Sequence, residues 1–95
     1  MTLAELLVRL ERLTTSLARL YAQRGDLIAE KIKSVAAAWE NLSDRAVTDR
    51  RETSKQAGSQ FDALLAQDDG EIQALEVERQ YVLVMIDVVK AGLLS

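Results

Sequence analysis

The chain is predicted to be all-α, an antiparallel helical bundle or hairpin with coiled-coil-like packing. Three observations predict it. Leucines recur at 3, 6, 10, 13, 17 and 20, alternating steps of three and four, which is the a/d pattern of packed helices. Proline is absent and there are only four glycines, at 25, 58, 70 and 92, so few positions favour loops. Aromatic residues make up only 4% of a sequence that is 48% hydrophobic, so its core is built from Leu, Val, Ile and Ala. Such side chains suit helices at close range. The pattern divides into about three main helices, 2–23, 26–47 and 70–93, with a polar helical extension 48–66, in one domain, 1–95.

The first helix opens on Thr2-Leu3-Ala4-Glu5, the spacing of a capping box. Its leucine seam is widened by Leu7 and Tyr21, while Glu5, Arg9, Arg12, Thr15, Ser16 and Arg19 occupy the outer face. A break is expected at Gly25-Asp26, where glycine can take a left-handed C′ position and aspartate can cap the next helix. The alternative is a helix running on, with Leu20, Arg24, Ile28 and Ile32 spaced by four as at a coiled-coil stutter. The second helix uses Ile28, Ile32, Val35, Trp39, Leu42 and Ala46, with Ala36, Ala37 and Ala38 allowing a close neighbour. Trp39, the single tryptophan, reads as a core anchor or as a binding hot spot.

From 48 to 60 the chain reads TDRRETSKQAGSQ, with Ala57 its only hydrophobic residue. Phe61, Leu64 and Leu65 resume the apolar pattern before Asp68-Asp69-Gly70, where a second turn is expected, with Asp68 and Glu71 at capping-box spacing. The last helix aligns Ile72, Leu75, Val82, Ile86, Val89 and Leu93 on one seam. Tyr81, Met85 and Val88 form a second stripe, so more than one neighbour is expected for it. A turn at 68–70 would lay this apolar helix against the polar stretch. Burying one Val, Leu or Ile is worth roughly 1.5–3 kcal/mol, so the last helix must instead find its partner in the first helix or in another chain. Equal helix lengths suit a three-helix arrangement. The rival is a long hairpin of 26–66 against 70–93, joined by the first helix and completed by dimerisation.

Composition limits the chemistry. Cysteine and histidine are absent, which removes disulfides, thiolate metal sites and the usual general base. Residues 1–60 hold ten basic and eight acidic groups (+2), and residues 61–95 hold two and seven (−5). At physiological salt such a difference biases pairing only within about 8 Å. No secretory signal or membrane-spanning run is read, and a cytoplasmic location is expected. No phosphate-binding loop, dinucleotide fingerprint or zinc motif is present. Asp68, Asp69 and Glu71 form only a fragment of a calcium loop. No catalytic, cofactor-binding or metal residue is assigned, and the chain is expected not to be an enzyme.

Length, helical pattern and Trp39 resemble the WXG-type secretion substrates, helical hairpins with Trp-x-Gly in the turn. The triplet here is Trp39-Glu40-Asn41, without the glycine. That family also carries a C-terminal Tyr followed four residues later by an acid; Tyr81 is followed there by Met85.

The expected function is a non-enzymatic helical interaction module that self-associates, with an unidentified protein partner as a further expectation. Its interface residues are Leu6, Leu10, Leu13, Leu17, Leu20, Trp39, Val82, Met85, Ile86 and Val89. The alternative is a nucleic-acid accessory protein, of phage or other mobile-element origin, touching phosphates through Arg45, Arg50, Arg51 and Lys55. Asp44, Asp49 and Glu52 are interleaved with that cluster and can pair with it locally.

Overall fold

The computed structural model describes residues 1–42 and 44–92. Two long helices, α1 (Leu3–Asn41) and α2 (Val47–Lys90), pack against each other as a helical hairpin. Leu93, assigned above to the final seam, lies outside the described residues.

Two helices replace the three expected, because neither expected turn forms. Gly25-Asp26 lies inside α1 and Asp68-Asp69-Gly70 inside α2. The physical reason is visible at the two sites themselves. Gln23 donates to Asp68 (Nε2–Oδ1, 2.8 Å) and Arg24 donates to Asp69 (Nε–Oδ1, 2.6 Å). Polar residues that favour turns when alone are thus satisfied by each other across the seam. A glycine inside a helix costs only about 1 kcal/mol, too little to break it against these pairs and the retained backbone bonds. The polar stretch 48–60 is likewise part of α2 rather than an extension at its edge.

The only interhelix connection among the described residues is 42–46, where the Arg45 amide donates to the Leu42 carbonyl at 2.9 Å. At the start of α1, Thr2 is the N-cap: its hydroxyl accepts from the Glu5 amide at 3.2 Å. After α2, Gly92 takes φ +75° and its amide donates to the Val89 carbonyl at 3.0 Å. That left-handed residue closes the helix, and a side chain there would be strained.

Contacts gather into two compact units. The first comprises Met1–Tyr21 with Gly70–Ser95. Here the leucine seam of α1 finds the last part of α2, as the apolar excess of that segment requires. Leu6, Leu13, Val82 and Ile86 form one buried cluster, flanked by Leu3, Leu10, Leu75, Met85 and Val89. Leu17, Leu20 and Ile72 form a second, again with Leu75 against it. Along the rim Arg9 holds Glu78 (Nη2–Oε1, 2.7 Å) and the Tyr21 hydroxyl donates to Glu76. Both partners of the ion pair are about a third exposed, so it contributes about 0–1 kcal/mol and mainly fixes register.

The second unit, Ala22–Asp69, is built differently. Its fully buried residues are Ser54, Gly58 and Asp68, and none of its large apolar side chains is fully buried among the described residues. Leu27, Ile28, Val35, Leu42, Phe61 and Leu65 are half-buried. Gly58 lets the helices approach: a Cβ there would stand 2.9 Å from Val35 Cγ2 and 3.2 Å from Lys31 Cε. Lys31 also pairs with Asp62 at 2.6 Å. Small residues at 54 and 58 therefore do in this unit what leucine and valine do in the first.

Candidate interaction surfaces

Most residues expected at an oligomer interface are occupied inside the chain. Leu6, Leu13, Leu17, Leu20, Val82 and Ile86 are buried between α1 and α2, and Leu10, Met85 and Val89 are half-buried against the same clusters. Trp39 is half-buried in the second unit. The surfaces left open are therefore different ones.

Three outward-facing valine and tyrosine side chains are prominent in the first unit. Val77, Tyr81 and Val84 are 67%, 55% and 52% exposed, and Val88, half-buried, continues the line. Their spacing of four, three and four places them along one side of α2, facing away from the seam of Ile72, Leu75, Val82 and Ile86. The sequence reading found Tyr81 and Val88 on a second stripe but joined them to Met85, which packs on the core. Val77 and Val84 were missed. A test of the heptad on both faces of the last helix would have found them. On α1 of the same unit Leu7 and Val8 are each 47% exposed.

In the second unit, Ile32, Val35, Ala36 and Trp39 line an open apolar groove of about 440 Å³ beside Ser54. Ile32, counted above among the core positions, points outward and is 63% exposed. The Ser54 hydroxyl has no hydrogen-bond partner but is closed off from solvent, so it is not offered to a ligand as it stands.

Arg50 ties the end of α1 to the start of α2. Its Nε and Nη2 donate to the Trp39 carbonyl at 3.1 and 3.0 Å, and its guanidinium stacks 4.0 Å from the centre of the indole ring. The last carbonyls of a helix lack partners within it and carry partial negative charge. Arg50 thus caps α1, and its stacking adds a cation–π contact. Of the four residues assigned to phosphates, Arg50 has this structural task. Arg45, Arg51 and Lys55 are exposed on the same unit.

Among the described residues no cluster of three potential metal ligands occurs, and no helix is long and apolar enough to cross a membrane. No protein family, curated protein or solved structure matches the chain. The functional reading therefore rests on these surfaces alone.

Proposed function

We propose that this chain is a non-enzymatic helical protein–protein interaction module, an adaptor, regulator or structural subunit, that self-associates in the cytoplasm. The observation that carries the reading is surface area. The chain exposes 6793 Å². A compact monomer of 10.5 kDa is expected to expose about 5,400 Å². The excess, about 1,400 Å², is more than the roughly 800 Å² that one partner contributes to a standard interface. Because much of it lies on Val77, Tyr81, Val84, Ile32 and Leu7, covering it is favourable. Sedimentation equilibrium at micromolar concentration tests the reading. Concentration-dependent association is the expected result, and a monomer at every concentration would rule self-association out.

A second reading, a WXG-like secretion substrate, is favoured by one observation: Trp39 stands in the last turn of α1, just before the connection 42–46 of a helical hairpin. Against it stand Asn41 in place of glycine and Met85 in place of an acid. Recovery of the intact chain from the medium of its native host, without lysis markers, is the result this reading requires. Phosphate contact through Arg45, Arg51 and Lys55 gains no comparable support, since Asp44, Asp49 and Glu52 share that surface.

A further inference from the structure

We infer that a second copy of this chain docks on the outward stripe of α2 formed by Val77, Tyr81, Val84 and Val88. This rests on the self-associating reading and names its surface. Spacing is the first argument. The stripe repeats in the same three-four alternation as the seam on the opposite side of the helix, so it accepts knobs from a helix of equal period. Continued in both directions it meets Ala74 and Ala91, so six successive stripe positions carry no charge. The stripe is also held on a firm support, since Ile72, Val82 and Ile86 anchor the other face of the same helix in the core.

Charge placement is the argument for a copy of this chain as the occupant. Two antiparallel copies aligned about the Val82–Leu83 bond set Tyr81 of each against Val84 of the other, and Val77 against Val88. In that register the flanking neighbours are Glu78 beside Met85 and Asp87 beside Gln80. No carboxylate meets another. Sliding one copy by seven residues in one direction sets Glu78 against Glu78; sliding it in the other sets Asp87 against Asp87. Like charges directly opposed are unfavourable, so one register buries all four apolar residues without a penalty. The excess exposed area derived above is large enough to supply such an interface.

The test is sedimentation equilibrium of the full chain, from about 1 to 100 µM, for wild type, a Val77→Glu/Val84→Glu variant and Leu7→Glu. Wild type should form a dimer. The double variant should raise the dimer dissociation constant at least about 100-fold, because two carboxylates per copy would have to be desolvated. Its helical circular dichroism should be unchanged, since both valines are more than half exposed. Leu7→Glu should leave the dimer intact. A second measurement uses the absence of cysteine: chains carrying Tyr81→Cys and chains carrying Val84→Cys, mixed under oxidation, should cross-link faster than either alone. A dimer that survives the double variant, or equal cross-linking in all three mixtures, overturns this surface while self-association stands. A wild-type monomer throughout overturns both.

Discussion

Asp68 is the residue whose replacement tests the architecture most directly. It is 4% exposed, one of its carboxylate oxygens accepts from Gln23, and the other has no partner. Removing the donor alone, in Gln23→Ala, leaves a buried carboxylate with neither oxygen satisfied. The cost of an unsatisfied buried group is about 1–3 kcal/mol, and more when it is charged. With a urea dependence of about 1–3 kcal/mol per molar for a small protein, the midpoint should fall by roughly 1 M. Replacing both residues, in Gln23→Leu/Asp68→Leu, removes the unmet polar groups and extends the leucine seam. That variant should be at least as stable as wild type, since exchanging both partners of a buried polar pair for apolar ones is neutral or stabilising. Urea unfolding followed by circular dichroism at fixed protein concentration reads all three. A double variant less stable than Gln23→Ala would refute the argument, because it would mean the pair contributes net stability rather than filling a place in a continuous helix.

The remaining predictions concern packing and capping. Ile86→Ala, in the buried cluster with Leu6, Leu13 and Val82, should cost about 2–5 kcal/mol in the same assay, while Arg51→Ala should change stability by less than about 0.5 kcal/mol; equal midpoints would place the core on the wrong face. Gly25→Ala, with nothing near its Cβ, should stabilise by about 0.5–1 kcal/mol, whereas Gly58→Val should destabilise by about 1–3 kcal/mol because its side chain meets Val35. Similar effects from the two would contradict the close approach at Gly58. Arg50→Ala should cost about 1–2 kcal/mol and shift Trp39 fluorescence to the red as the indole loses its cover. Arg50→Lys should restore only part of this, since an ammonium cannot both fork onto the carbonyl and stack. An unshifted emission in Arg50→Ala would show the indole to be covered by something else.

The all-α class, the Thr2 cap and the seam of α1 over 3–20 were legible in the sequence because each depends on local period and local hydrogen bonding. So was the pairing of that seam with the last helix: the polar stretch 48–60 could not have covered Val82 and Ile86, and composition alone said so. What the sequence could not decide was where the chain turns. Gly25-Asp26 and Asp68-Asp69-Gly70 carry the residues turns prefer, and their preferences are worth about 1 kcal/mol each. Residues 45 positions away, Gln23 to Asp68 and Arg24 to Asp69, outweigh them. Only the tertiary structure brings those pairs together. It also reassigned Arg50 from a surface charge to the cap of α1 and put Ser54 and Gly58 on the seam, because small residues face inward where helices come closest. Local energies thus determined that this chain would be helical. Contacts distant in sequence determined that it would be two helices rather than three, and which apolar faces were left uncovered.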